Sequence, residues 1–263
     1  MALESRRSPI WLSDERFDFA THRAPEYFYI VAATERSGSS YLCAHLWRTG
    51  ILGAPIEYFN TESVMAQMIR RFGVHSPADY LRRLFEVRTS PNGVFGFKAH
   101  WPQFQFAALA RFMDWFPGAR WIYNDRRDIV AQAVSLVKAR QTHQWSTLMD
   151  ALAVSEYEFE TILAAYRQIL DHKRDWRAAM TLGNIEPIPV FYEDFLERPE
   201  AVVAGIVKDL GFPGEPRADI ALPEPERQSD HTNSTWIDRF RAEATERGID
   251  LKHLAPIRSA VQL

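Results

Sequence analysis

The sequence predicts an α/β fold, in which helices flank a parallel β-sheet. Four short segments rich in aromatic and β-branched residues alternate along the chain with segments of helical spacing. Such alternation produces βαβ units and a parallel sheet covered on both faces. The composition is that of an ordinary globular protein, with 46% hydrophobic and 25% charged residues in a chain of 263, which argues against disorder and low complexity.

The clearest predicted strand is Tyr27–Ala33, a continuous apolar run of the kind found in strands buried on both faces. A turn signal, Pro91-Asn92-Gly93, precedes the second strand, and two more strands follow further along the chain. The later predicted strands cover residues 94–99, 119–124 and 188–192.

Helical patterns occupy the segments between and after these strands. One predicted helix begins at Pro199 and is followed by Gly211. Proline favours the first position of a helix, and glycine favours the position just after its end. Helices are predicted at 41–49, 128–140, 148–180, 199–210 and 234–247, and residues 61–87 are expected to form two short helices divided near residues 76–77. We expect one domain over residues 1–263, with an N-terminal extension (1–25), a helical insertion and a C-terminal segment (212–263).

Charge and cysteine content exclude several classes of protein. The formal net charge of -3 argues against a dedicated nucleic-acid binder, which normally has a basic excess. The single cysteine, Cys43, cannot form an intramolecular disulfide and argues against a cysteine-based zinc site, so we expect no metal. No apolar run approaches the ~20 residues of a membrane helix, and no signal-peptide core is visible. We therefore expect a cytoplasmic protein without a membrane span.

The segment between the first strand and the first helix has the chemistry of an anion site. It contains Arg36, Ser37, Gly38, Ser39 and Ser40. Backbone N–H groups at a helix N-terminus lack partners within the helix, and the helix dipole favours negative charge there. The glycine allows close approach of an anion, the serines add hydroxyl donors and the arginine adds charge. A serine-capped helix start without any ligand is the alternative interpretation.

The same segment is not a Walker A loop, because it lacks both the first glycine and the lysine of that motif. No carboxylate is evidently placed for a nucleotide-bound magnesium ion, on which phosphoryl transfer from ATP depends. A sulfuryl group carries less charge than a phosphoryl group and can be transferred with cationic side chains and amides alone. Two alternatives to an enzyme of sulfuryl transfer stay open: a magnesium-dependent kinase of nucleotides or small molecules, and a non-catalytic nucleotide-binding module.

A strand followed by [KR]-S-G-[ST]-[ST] and a helix resembles the 5′-phosphosulfate loop of sulfotransferases that use 3′-phosphoadenosine 5′-phosphosulfate (PAPS) and release 3′-phosphoadenosine 5′-phosphate (PAP). The segment 124–135 resembles the 3′-phosphate segment of that family, which would make Arg126 and Ser135 the phosphate ligands. Tyr192, in a Tyr-Glu-Asp segment, would lie beside the nucleotide, and Arg227 would supply a late cation to the 3′-phosphate. The closest resemblance is to the bacterial trehalose sulfotransferase (Stf-zero type) family. It implies a P-loop-like fold, a C-terminal segment that closes the nucleotide site, and a homodimer.

Two residues are candidates for the base that activates an acceptor hydroxyl. Glu57 lies in a Gly-x-Pro-x-Glu-Tyr-Phe segment whose glutamate is the proposed base in the resembling family, and apolar neighbours are expected to raise its pKa. His100 ends a Lys-Ala-His segment similar to the Lys-Thr-His of cytosolic sulfotransferases, in which Lys98 would stand near the bridging oxygen. We rank Glu57 ahead of His100.

The acceptor is expected to be a small molecule with a hydroxyl group: a sugar, a glycolipid or a secondary metabolite. Pro55, Tyr58 and Phe59 flank the candidate base and are predicted to line the acceptor site. Glu35 directly precedes the anion loop, where the resembling family carries glutamine. A negative charge beside a polyanionic donor is unfavourable, so we expect Glu35 to face the acceptor or an amine on it.

Overall fold

The computed structural model describes residues 13–19, 23–145, 151–216 and 231–254. Its strands are β1 (Tyr27–Ala33), β2 (Val94–His100), β3 (Arg120–Asp125) and β4 (Ile188–Phe191). Its α-helices are α1 (Ser39–Arg48), α2 (Val64–Phe72), α3 (Pro77–Arg88), α4 (Trp101–Leu109), α5 (Ile129–Thr142), α6 (Phe159–Leu182), α7 (Tyr192–Glu197), α8 (Pro199–Leu210) and α9 (His231–Glu246).

The four strands form one parallel sheet in the order β2-β1-β3-β4. Ala33 at the end of β1 is in register with His100 on one side and with Asn124 on the other, so three strand ends lie side by side. The chain leaves β1 toward β2 and later returns to place β3 on the other side. Ligands of α/β proteins bind at such a reversal of strand order, beyond the carboxyl ends of the strands. The predicted α/β fold is confirmed.

Apolar layers cover both faces of the sheet, because successive residues of a strand point to opposite sides. Ile30 and Ala32 of β1 pack in a cluster with α2, α3, α4 and the end of α6. Tyr29 and Val31 pack on the other face, against α1 and α8. All four side chains are completely buried, as the apolar run in the sequence predicted.

The long helix α6 connects this sheet to a third apolar cluster. Near its start, Phe159 stacks on Phe240 of α9 with ring centroids 4.9 Å apart, in a cluster that also includes α5. Near its end, the indole nitrogen of Trp176 donates to the carbonyl oxygen of Ala33 at 2.9 Å. Helix α6 is thereby fixed against the carboxyl end of β1, where the predicted anion loop begins.

Two features of the chain differ from the predicted elements. The helix expected at 148–180 begins only at Phe159, and Leu152 lies outside it with 59% of its surface exposed. Hydrogen bonds to the end of α5 replace helical ones here: Leu152 N–H donates to the Thr142 carbonyl, and the backbone of Glu156 pairs with the Gln141 side chain. Helices α4 and α7 were not predicted, because each follows its strand without an intervening loop. Among the described residues, no helix has the length and apolar character needed to cross a membrane.

We expect Gly96→Ala to destabilise the sheet by about 1–3 kcal/mol, the usual cost of overpacking a core. A Cβ at Gly96 would lie 2.2 Å from the ring of buried Tyr29, whose hydroxyl donates to the Leu52 carbonyl at 2.7 Å. Gly205→Ala in α8 is the matched control, since its Cβ meets nothing within 4 Å. The control should raise stability by about 0.4–1 kcal/mol. Urea unfolding of both variants measures the difference, and equal stability would contradict the packing described.

Candidate active site

The anion loop after β1 has a backbone that glycine makes possible. Gly38 has φ 82° and a Cβ there would lie 2.2 Å from the ring of Tyr192, so the loop and that ring pack directly on each other. Arg36 also has a positive φ, 60°, which is strained for a residue with a side chain. Helix α1 begins at Ser39, so its first N–H groups point out of the loop toward the sheet edge.

Two arginines and a serine converge beside this loop. The Arg36 side chain donates to the Ser135 hydroxyl on α5 at 2.9 Å, and Arg126 donates to the Arg36 carbonyl at 3.2 Å. The guanidinium of Arg126 lies 4.8 Å from the ring centroid of Tyr192. Burial and the charge of Arg126 lower the pKa of Arg36 to about 10. Like charges held this close repel each other, and an anion between them relieves that repulsion.

Lys173 of α6 holds the end of β3 in place, and sequence reasoning did not identify it as a site residue. Its ammonium donates to the Arg126 carbonyl at 2.6 Å and pairs with the Asp125 carboxylate at 2.5 Å, with 4% of its side chain exposed. Burial lowers the pKa of Lys173, and the charge of Asp125 opposes this shift. The available signal was its position on the apolar stripe of α6, four residues after Ile169 and three before Trp176.

Arg127 and Asp128 do not join this cluster. Arg127 makes an ion pair with Asp194, 2.6 Å away, and about half of its side chain is exposed. Asp128 caps α5 by accepting from the backbone N–H of Ala131 at 2.9 Å.

A second cluster is centred on Lys98 of β2. Its ammonium lies 2.7 Å from the Ser40 hydroxyl at the start of α1 and 2.7 Å from Oε1 of Glu57. The segment that carries Glu57 is held along β2 by a hydrogen bond from Lys98 N–H to the Ile56 carbonyl, at 3.0 Å. Lys98 therefore connects the anion loop to the first-ranked candidate base.

The expected rise in the pKa of Glu57 is wrong. Burial does favour the neutral carboxyl, but the charge of Lys98, the nearby imidazole of His100 and hydrogen bonds from Lys98 and Gln103 hold the pKa of Glu57 below its usual value. Gln103, which sequence reasoning missed, donates to Oε2 of Glu57 at 2.6 Å, and Asn60 donates to the same oxygen at 3.1 Å. Glu57 is therefore ionised, which is the state that a base requires.

His100, the second candidate base, adjoins the first. Its Nδ1 lies 3.8 Å from Oε2 of Glu57, and its backbone N–H donates to the Gln103 side chain at 3.0 Å. Its Nε2 is buried and has no hydrogen-bond partner among the residues that the structure describes. Burial lowers the pKa of His100, although Glu57 opposes this, so the imidazole is neutral at pH 7.

The remaining predicted residues lie in three different settings. Pro55, Tyr58 and Phe59 are buried, the two aromatic rings among the core residues beneath the sheet edge. This corrects the expectation that they line the acceptor site, because core side chains support the backbone around Glu57 and present no surface. Oε2 of Glu35 lies 3.3 Å from Nδ1 of His172 on α6. Sequence reasoning missed this histidine. Arg227 lies outside the described residues.

Residues 28–243 match the family model described as Stf0 sulphotransferase. This chain belongs to the Stf0 sulphotransferase family. The predictions of the family, of an enzyme and of sulfuryl transfer are thereby confirmed.

Two curated relatives match over most of the chain. Trehalose 2-sulfotransferase of Mycobacterium tuberculosis (strain ATCC 35801 / TMC 107 / Erdman) is 30% identical over 263 residues, covering 84% of this chain and 97% of that protein. Trehalose 2-sulfotransferase of Mycolicibacterium smegmatis is 28% identical, covering 85% of this chain and 97% of that protein. Among solved structures, a sulfotransferase from Alicyclobacillus acidocaldarius is 15% identical, covering 88% of this chain and 98% of that chain, with a TM-score of 0.47.

We predict that the pKa of His100 lies below 6.5 and falls further in Glu57→Gln. The variant removes a carboxylate that attracts the imidazolium and leaves burial as the main influence. NMR titration of the histidine ring protons measures both values, with His100→Asn to assign the signal. A pKa that rises when Glu57 is neutralised would contradict the placement of these two side chains.

Proposed function

We propose that the chain transfers a sulfuryl group from PAPS to a hydroxyl group of a sugar-like acceptor. The observation that carries this proposal is the Ser40–Lys98–Glu57 chain, in which a buried ammonium links an anion loop to an ionised carboxylate. In this arrangement, the loop of residues 36–40 binds the phosphosulfate. Arg36, Arg126 and Ser135 bind the 3′-phosphate, and Tyr192 lies beside the nucleotide. Arg227 remains a proposed further ligand of the 3′-phosphate.

The reaction is an in-line displacement at sulfur. The acceptor oxygen forms a bond to sulfur, the bond from sulfur to the bridging oxygen breaks, and the acceptor proton passes to Glu57. Lys98 has a third N–H donor beyond those aimed at Ser40 and Glu57, and it stabilises the charge that develops on the bridging oxygen of departing PAP. Negative charge on the bound donor raises the pKa of Glu57 from its lowered value, which strengthens it as a base.

The relatives' names support a sugar as the acceptor, since both are described as trehalose 2-sulfotransferases. The identities of about 30% leave room for a different sugar or glycolipid here. The neutral imidazole of His100 is proposed to orient the acceptor hydroxyl: its Nδ1 lies 3.8 Å from Glu57, and its Nε2 has no partner among the described residues. A homodimer remains a prediction from the family resemblance, and a cytoplasmic location remains a prediction from the sequence.

We expect Arg126→Ala to weaken the binding of PAP at least tenfold, because one of the cations at the 3′-phosphate is lost. Arg70→Ala, an exposed arginine on α2, is the control and should leave the affinity unchanged. Isothermal titration calorimetry without magnesium measures both. Unchanged affinity in Arg126→Ala would remove this residue from the site, and tighter binding of ATP with magnesium than of PAP would favour the kinase alternative.

Replacement of the base should abolish most of the activity and spare the donor site. We expect Glu57→Gln to lower kcat by ~100-fold, within the usual contribution of a general base, with PAP affinity changed less than threefold. His100→Ala should lower kcat by less than tenfold. Transfer of labelled sulfur from PAPS to trehalose and a panel of sugars and glycolipids measures turnover. The opposite order of the two losses would make His100 the base.

A further inference from the structure

A second carboxylate lies at the acceptor side of the site, and the proposed reaction does not use it. Glu35 follows β1 directly and has 16% of its side chain exposed. Its Oε2 lies 3.3 Å from Nδ1 of His172, whose side chain is 13% exposed. One turn further along α6, Trp176 binds the Ala33 carbonyl, which fixes His172 over the end of β1. His100, in register with Ala33, lies at the same edge of the sheet, and its Nε2 has no partner within the part of the chain that the structure describes.

The charges of this region do not balance. Burial opposes ionisation of Glu35, but the hydrogen bond from His172 and the charges of His100 and His172 lower the pKa of Glu35 to about 2. Glu57 is also ionised, and Lys98 compensates it. Within the described residues, no lysine or arginine makes an ion pair with Glu35. The described residues thus give the Glu35 carboxylate only imidazole neighbours, with no permanent cation to balance its charge.

The neighbouring cation does not correct this imbalance. Arg36 is next in the chain, but its side chain extends to the Ser135 hydroxyl and to the Trp145 carbonyl, 2.6 Å away, on the nucleotide side. Bound donor adds further negative charge across the anion loop. An acceptor that brings a positive charge to Glu35 offsets the negative charge of this carboxylate and that of the donor. The hydroxyl groups of a neutral sugar donate hydrogen bonds without neutralising the carboxylate.

We propose that Glu35, supported by His172, binds an ammonium group of the acceptor, and that the acceptor is therefore an amine-bearing sugar or amino alcohol. The ammonium pairs with the Glu35 carboxylate while a hydroxyl of the same molecule faces Glu57 and His100. Glu35 is thus a specificity-determining residue. This inference rests on the proposed function, since it assumes that the acceptor lies between the anion loop and α6.

The test compares acceptors that differ only in the amine. Glucosamine, glucose and N-acetylglucosamine form one set, and 2-amino-2-deoxytrehalose, trehalose and the N-acetylated amine form the other. Calorimetry or ligand-observed NMR measures their dissociation constants for the full chain saturated with PAP. The variants are Glu35→Gln, which keeps the shape and removes the charge, and Glu246→Gln, an exposed glutamate on α9, as the control.

We expect the free amine of at least one set to bind at least tenfold more tightly than both its hydroxyl and its N-acetyl counterparts. In Glu35→Gln this preference should fall below threefold, and in Glu246→Gln it should remain. Equal binding within both sets would overturn the inference. A preference that survives in Glu35→Gln would also overturn it.

Failure of the proposed function is distinguishable from failure of this inference. If the chain did not bind PAP, or transferred no sulfur from PAPS to any acceptor, the proposed function would be wrong. If PAP bound and no acceptor set discriminated by charge, only the assignment of Glu35 to an ammonium would be wrong. Lost PAP binding in Glu35→Gln would place this carboxylate at the donor and would count against the inference alone.

Discussion

The contact on which the active site depends is a buried ammonium group between two oxygen atoms. Lys98 lies 2.7 Å from the Ser40 hydroxyl and 2.7 Å from the Glu57 carboxylate. A buried charge is unfavourable unless it is paired and hydrogen-bonded, so this lysine holds the helix start and the candidate base at one separation. In the proposed reaction, an acceptor activated by Glu57 thereby faces the phosphosulfate bound in the anion loop.

The proposed nucleotide side is built in the same way around another buried lysine. Lys173 pairs with Asp125 and binds the Arg126 carbonyl, so a residue of α6 determines where β3 ends and where the guanidinium of Arg126 lies. The same helix brings His172 to Glu35. Helix α6 therefore positions groups on both sides of the anion loop, with Lys173 beside Asp125 and Arg126, and His172 beside Glu35. In the proposed function, the first group faces the nucleotide and the second faces the acceptor.

Much of the fold was predictable because local physics and tertiary packing agree. The continuous apolar run of β1 forms the strand that is buried on both faces. Helix α8 begins at Pro199 and ends before Gly211, as the backbone preferences of proline and glycine require. Disagreement arose where a helix follows a strand without a loop, as at Trp101 and Tyr192. It also arose at 151–158, where hydrogen bonds to α5 override the helical pattern.

The sequence by itself determined the fold class, the family and the residue types of the anion loop, because strand, loop and helix start are contiguous in the chain. Only the tertiary structure decided which distant groups meet there. Gln103, His172 and Lys173 carry no local signal of function, since their partners are 46, 137 and 48 residues away in the chain. The lowered pKa of Glu57 has the same origin, because Lys98, His100 and Gln103 together outweigh the burial that the local sequence indicated.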